Sequence, residues 1–360
     1  MKKGLSLVLL LCTLLGCLMG DGVCAEEAYE KYSMTFFNTF DTVITIIGFS
    51  QEEAVFQRVT QEAQGQFERL HRVFDAYNAY DGVKNLHFLN GQAATGTAEV
   101  EPELMNLLMY CKERQPLTQG TMNVALGAVL RLWHDFREQV ELDPEHASLP
   151  ELEALQAAAQ HIDFDMVVLS PETNTVTFLD PEIRIDLGSV AKGYAAGLVG
   201  QWMLKSEMPS FILNAGGNVV AGDPPRDGRL RWGVSVQDPD GFAVDPTSDN
   251  MEILYLSNCA VVTSGDYQRY IMVDGVRYHH IILPDTLFPS HFMRAVTIVA
   301  EDSGWADILS TAVFLMPYEE GRAFVDALEG VEALWVLNDR TVEMTDGMRG
   351  MARSQGATSK

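Results

Sequence analysis

The run Glu182-Ile183-Arg184-Ile185-Asp186-Leu187-Gly188-Ser189-Val190-Ala191-Lys192-Gly193-Tyr194-Ala195 constrains this chain more than any other stretch. Apolar and charged residues alternate as far as Leu187, Gly188-Ser189 interrupts them, and small and apolar residues at helical spacing follow. The pattern predicts strand, tight turn, helix. A helix that starts in such a turn leaves its first N–H groups without intrahelical partners and gathers partial positive charge there, which suits an anion such as phosphate. Ser189 is placed to cap the helix. Asp186, just before the turn, can accept hydrogen bonds from a nucleotide's base or sugar or help hold a cation, and Lys192 lies one turn into the helix. Turns of this composition also arise only to cap a helix, so the run alone leaves both readings open.

Charge narrows the partners. The chain has 360 residues, with 50 Asp plus Glu against 25 Lys plus Arg and a formal charge of −25. Such a surface repels nucleic acid and bare anionic lipid, and a polyphosphate would need local help from helix starts or a divalent cation. The first 25 residues read as a signal peptide: Lys2-Lys3 open it, and residues 5–15 form an apolar run too short for an ordinary membrane span. Cleavage before Cys17, where Leu14-Leu15-Gly16-Cys17 resembles a lipobox, would leave a lipid anchor; cleavage after Ala25 would leave none. The expected address is exported, either as a lipoprotein of the cell envelope or free outside the cytoplasm, with the membrane reached only through that lipid. Of five cysteines, Cys12, Cys17 and Cys24 fall in this leader. Cys111 and Cys259 read as buried small hydrophobes, and no zinc spacing is present.

The body, residues 26–347, reads as a single large α+β domain of mainly antiparallel strands with packed helices. Residues 35–48 are rich in aromatic and β-branched side chains and predict one strand. Phe56, Val59, Ala63, Phe67, Leu70 and Phe74 recur at intervals of three and four, predicting an amphipathic helix over 52–74. Further helices are expected over 102–112, toward Trp133 and over 190–205, and strands over 166–169, 175–178, 211–213, 229–236 and 260–262. Helices that group rather than alternate with strands favour α+β over a dinucleotide-binding sheet, and no glycine-rich fingerprint, Walker motif or repeat is visible. Residues 348–360 are small and polar and predict a disordered tail.

Four more segments follow the opening run in order: Asn214-Ala215-Gly216-Gly217, Thr263-Ser264-Gly265-Asp266-Tyr267, Tyr278-His279-His280-Ile281-Ile282 and Ala306-Asp307-Ile308-Leu309-Ser310-Thr311-Ala312. Together they resemble the FAD:protein FMN transferases, the ApbE family, across residues 36–311. The resemblance implies a T-fold-like architecture. It implies FAD as substrate, Mg²⁺ as cofactor, transfer of FMN to a Thr or Ser hydroxyl of an acceptor redox protein, and release of AMP. By resemblance Phe40, in Phe40-Asp41-Thr42, lies against the flavin, Tyr77 touches the isoalloxazine or adenine, and Thr121-Met122-Asn123 line the FAD site together with Asp186, Lys192 and Ile281.

Asp307 and Thr311 are four apart in a segment of helical periodicity, so they share a face. A carboxylate and a hydroxyl so placed suit a hard cation that keeps waters and substrate phosphates in its shell. The resemblance adds the Ser189 carbonyl as third ligand. Attack by a hydroxyl on a phosphorus ringed with negative oxygens calls for a cation, donors for the diphosphate and a base. The helix start near Ser189 with Lys192 is the expected donor set, and His280 the expected base, since imidazole titrates near neutrality. On a strand His279 would face the opposite way. The chain departs from the family pattern His-Ile-Ile-Asp-Pro with a following Thr-Gly: Leu283 stands for the Asp and Leu287 for the Gly. Two other functions therefore accompany the first, an FAD pyrophosphatase yielding FMN and AMP, and an exported FAD-binding lipoprotein without chemistry.

Overall fold

A computed structural model describes residues 28–143, 148–241 and 250–360. The expected leader, with Cys17, lies outside the described residues. Eight strands form one antiparallel sheet: β1 (Glu30–Thr39), β2 (Thr42–Ser50), β6 (Phe211–Ala215), β7 (Asn218–Ala221), β10 (Cys259–Gly265), β13 (Ala295–Ala300), β14 (Glu332–Val336) and β15 (Val342–Met344). Their order across the sheet is their order along the chain. Among the described residues three smaller sheets hold the other strands: β3 (Thr97–Glu99) with β5 (Thr175–Phe178) and β4 (Val167–Ser170), β8 (Trp232–Gln237) with β9 (Asn250–Leu256), and the ribbon β11 (Tyr270–Val273) with β12 (Val276–His279). The helices are α1 (Glu53–Phe74), α2 (Leu86–Gln92), α3 (Pro102–Arg114), α4 (Gly127–Leu142), α5 (Leu152–Ala158), α6 (Ala191–Leu204), α7 (Ser303–Phe314), α8 (Tyr318–Asp326) and α9 (Asp346–Met351). This is the α+β domain that the grouping of helices predicted, and no described helix is long and apolar enough to cross a membrane.

The sheet is covered on both faces, which explains why β13 is buried at every position. Val296, Ile298 and Ala300 point into the main core with α1, α3, α6 and α7, while Ala295 and Val299 face a second cluster built with β8, β9 and α9. A third, smaller cluster joins α4 to α5 and to the segment after β12.

Helix α6 packs beside α7, both lying on the sheet, and its glycines allow the close approach. A Cβ on Gly193 would stand 2.4 Å from the Asp307 Cβ, and one on Gly200 would stand 2.7 Å from a methyl of Val220. Gly193 of the opening run thus serves close helix packing.

Several expectations need correction. Residues 35–48 are not one strand but a hairpin: Phe40 and Asp41 take φ of 53° and 50°, a two-residue turn between β1 and β2. Paired left-handed residues match the twist of the flanking strands, a demand the β-rich composition concealed. The strand expected before Gly188 is an extended segment joined only by an isolated bridge from Arg184 to Leu126. It alternates buried and open residues as a strand does, but its partners are a loop and the Asn90 side chain, which bonds both Ile185 N–H and C=O. The tail is ordered. Ala352 bridges Leu254, the Ser354 N–H donates to Glu252 at 3.1 Å, and the Leu230 N–H donates to the Ser359 carbonyl at 2.7 Å. Its polar side chains meet the buried Glu252, a partner no composition reveals, so the domain extends past residue 347.

Candidate active site

A cavity of about 820 Å³ opens between the Phe40–Asp41 turn, the loop after α1, one face of α4, the starts of α6 and the segments at 263–269 and 280–282, with α7 at its floor. That volume is in the range of small-molecule sites. It brings together Phe40, Tyr77, Thr121, Met122, Asn123, Asp186, Ser189, Lys192, His280, Ile281, Asp307 and Thr311.

At the floor, Asp302 caps α7 by accepting from the N–H groups of Gly304 and Trp305 at 2.9 and 3.2 Å, and it is held in turn by the Tyr110 hydroxyl at 3.0 Å. This fixes the helix that carries Asp307, which is only 5% exposed. Asp307 Oδ2 accepts from the Gly193 N–H at 2.8 Å. Burial pushes its carboxyl up to about 6, against the pull of the Lys192 ammonium and that N–H. Thr311 follows one turn later, its hydroxyl 3.5 Å from that of Ser264. No group of three or more His, Cys, Asp or Glu among the described residues suits a metal. A cation here would have one carboxylate, a hydroxyl and carbonyl oxygens, a donor set for a hard ion.

The helix start differs from expectation. The cap residue of α6 is Val190, with no side-chain cap, so Ser189 does not cap. The N–H groups of Val190 and Ala191 go to the Leu187 carbonyl, and that of Gly193 goes to Asp307. The anion at this helix start is therefore the protein's own carboxylate. Asp186 is likewise engaged, accepting from the Gly188 N–H at 2.8 Å. Positive charge toward a ligand falls to side chains instead. Lys192 is half-buried, makes no ion pair among the described residues, and acts on both Asp307 and His280.

His280, just past the end of β12, lines the cavity, and His279, the last residue of that strand, does not. His279 is buried; its Nδ1 accepts from the Ile281 N–H, so its Nε2–H donates to the Ser290 carbonyl. The backbone N–H of His280 donates to the Arg269 carbonyl at 3.2 Å, and its Nδ1 is buried without a partner. Burial, then Arg269 and Lys192, push its imidazole down to about 3.

At the other wall the Phe40 N–H donates to His71 Nδ1 at 3.2 Å, and its ring meets that imidazole edge-on at 5.5 Å. Tyr80 links His71 to Asp75, its hydroxyl 3.3 Å from Nε2 and donating to the carboxylate at 2.8 Å. Tyr77 lies over His134, ring centroids 4.5 Å apart, and burial with the nearby Asp186 raises its phenol. Thr121 and Asn123 border the cavity, but their side chains serve the loop. The Thr121 hydroxyl donates to the Thr118 carbonyl, and the Asn123 amide bonds Gln115, the Ala125 N–H and the Ile162 carbonyl. Met122 and Ile281 are 2% and 6% exposed and offer the cavity little beyond backbone.

The sequence reading missed the arginines. Leu130, Arg131, His134, Arg137 and Glu138 share the cavity face of α4, and Arg269 enters from the turn before β11. Arg131 pairs with Asp135 and His134 with Glu138, whereas Arg137 and Arg269 form no ion pair among the described residues. Helical spacing of basic residues in so acidic a chain was the available signal. Leu283 lies outside the cavity, packed against the main core, and Leu287 is buried in the third cluster at φ 65°.

A model of the ApbE family matches residues 40–335. An FAD:protein FMN transferase of Treponema pallidum (strain Nichols) is 34% identical over 273 residues, covering 72% of each chain. One from Klebsiella pneumoniae (strain 342) is 26% identical over 303 residues, 84% of this chain and 88% of the relative. The crystal structure of the ApbE protein from Thermotoga maritima superposes with a TM-score of 0.77 at 28% identity, over 89% of this chain and 99% of that one. The flavin transferase ApbE from Vibrio cholerae gives 0.73 at 22% identity, over 90% and 99%, a likeness of fold.

Proposed function

Because the chain belongs to the ApbE family, we propose that it acts as an FAD:protein FMN transferase, moving the FMN half of FAD to a Thr or Ser hydroxyl of an acceptor redox protein and releasing AMP. The observation that carries this reading at the level of the site is one cavity uniting Asp307 and Thr311 with Lys192 and His280, from three separate segments. Asp307, Thr311 and the Ser189 carbonyl fit a magnesium ion, which would supply positive charge to the diphosphate. The fit rests on the desolvated Asp307 carboxylate with the Thr311 hydroxyl one turn later on the same helix.

Lys192 would hold the diphosphate, and Arg137 and Arg269 add to the positive side of the cavity. Phe40 and Tyr77 offer ring faces for the flavin or adenine. The acceptor oxygen attacks the FMN phosphorus, the bond from phosphorus to the AMP oxygen breaks, and the hydroxyl proton passes to the His280 imidazole. Burial and the neighbouring cations depress the His280 imidazole and favour its neutral form. An anionic diphosphate among those cations offsets that depression and raises its basicity when substrate is bound.

The test is incubation with FAD, Mg²⁺ and an acceptor domain bearing an exposed Ser or Thr, followed by in-gel flavin fluorescence and AMP release. A fluorescent acceptor with equimolar AMP is expected. AMP with free FMN would mean hydrolysis, and bound FAD without AMP would mean a carrier. For the address we propose export, from the basic start Lys2-Lys3 and the apolar run after it, with Cys17 as the lipid site. Intact mass of the membrane-extracted protein distinguishes a lipid on Cys17 from cleavage after Ala25.

A further inference from the structure

Helix α4 has two working faces. One presents Arg131, His134 and Arg137 to the cavity. The other buries Val129, Trp133 and Phe136 in the third cluster, together with Leu155, Ile282 and Leu287. That second face meets the segment that carries His280. After His280 the chain makes a short excursion: the Leu283 N–H donates to the Phe288 carbonyl at 2.9 Å, the Leu287 N–H donates to the Leu283 carbonyl at 2.8 Å, and Ile282 bridges Pro289.

The tip of this excursion holds Leu287 at φ 65°, a conformation that strains any residue with a Cβ. Something must repay that strain. The Leu287 side chain is 7% exposed within the cluster, and its carbonyl accepts from the Trp133 indole N–H at 2.9 Å. The indole is itself fixed, stacked on Tyr278 two residues before His280 and edge-on to Phe288 after it. Trp133 thus grips the His280 segment on both sides. It is 1% exposed and does not line the cavity.

We infer that Trp133 is a positioning residue for His280, holding the imidazole at the cavity through its bond to Leu287 and its packing on Tyr278 and Phe288. This rests on the reading of His280 as the base. Substrate touching the cavity face of α4 is then coupled to the base through the opposite face of one helix. Leu287 is part of the same device: a glycine there would relax the backbone but release the loop from α4.

The experiment compares Trp133→Phe, which keeps the ring and deletes the indole N–H, with Leu287→Gly, His280→Ala and the double variant Trp133→Phe/His280→Ala. Trp133→Phe is expected to lower kcat about tenfold with the KM for FAD within twofold, since a small misplacement of a reacting group costs rate rather than binding. In the His280→Ala background that loss should vanish, because two residues acting as one unit are not additive. Leu287→Gly should lower kcat as well, although it relieves strain; a merely structural role predicts equal or better stability with unchanged turnover. In the ligand-free protein, amide exchange over residues 280–288 should quicken in both variants. Additive effects of Trp133→Phe and His280→Ala in an active wild type, or unchanged exchange at 280–288, would overturn this inference alone. A wild type that turns over no FAD with acceptor would overturn the transferase reading, and this inference with it.

Discussion

The two ends of the cavity titrate in opposite senses. At the Asp307 end two helices touch through Gly193, and burial pushes the carboxyl up to about 6. At the His280 end a short segment hangs on a satellite cluster, and burial pushes the imidazole down to about 3. Burial favours the uncharged form of each, so the acid is helped to keep a proton and the base to lose one. Lys192 opposes burial at Asp307 and reinforces it at His280. Left to the protein's own groups, both charges that the reaction would use are disfavoured. A cation at one end and an anionic diphosphate between the ends would restore both.

The comparison breaks most visibly at Asp307. Asp307→Asn should lower transferase turnover on the order of 10³-fold, as loss of a charge-stabilising group does. It should also stabilise the metal-free protein near pH 7. A carboxyl raised above its ordinary 3.8 contributes stability below that pH and loses it as pH rises through about 6. Asn removes a loss bounded at about 3 kcal/mol. Urea melts with chelator at pH 7.5 check this, and a less stable variant would contradict it.

His280→Ala should lower kcat by roughly 10²-fold or more while FAD affinity, read by fluorescence titration, stays within a few-fold. The depressed imidazole costs stability as pH falls from its ordinary value near 6.5 toward about 3. The variant should therefore show a flatter acid limb in thermal melts, and an unchanged limb would place the histidine elsewhere.

Lys192→Met addresses both ends at once. It should weaken FAD about tenfold, the scale of a charged hydrogen bond, and raise the pKa of both Asp307 and His280. The acid limb of the rate profile then moves to higher pH, and a limb that does not move would separate the lysine from the site.

Asn123→Ala sharpens the contrast between bordering the cavity and serving it. With its amide committed to Gln115, Ala125 and Ile162, the expected effect is about 1–3 kcal/mol of stability with FAD affinity unchanged within twofold. Parallel urea melts and FAD titrations decide it.

Much of the fold was legible because periodicity survives folding: α1, α3 and α6 fall within two residues of where the spacing puts them. The Asp307–Thr311 pair was legible for the same reason, since four residues on a helix fix a shared face whatever surrounds it. Phe40 shows the limit. Its segment is mostly aromatic and β-branched, which hides the turn that Asp41 shares with Phe40, and the turn is fixed by pairing β1 with β2. Leu283 and Leu287 show another. Their departure from the family pattern was visible, but only packing reveals that one turns to the core and the other to Trp133.

By itself the sequence determined which residue types would meet: an acidic chain with one compact set of Asp, Thr, Lys and His, spaced so that helices and strands aim them inward. Only the tertiary structure decided how they are used. It gave the start of α6 to Asp307 rather than to a ligand, brought Arg137 and Arg269 into the cavity, and hung His280 on Trp133. The physical reason is that side-chain direction follows local backbone geometry, whereas the partner of a buried N–H, and the charge a buried group can bear, depend on what distant segments pack around it.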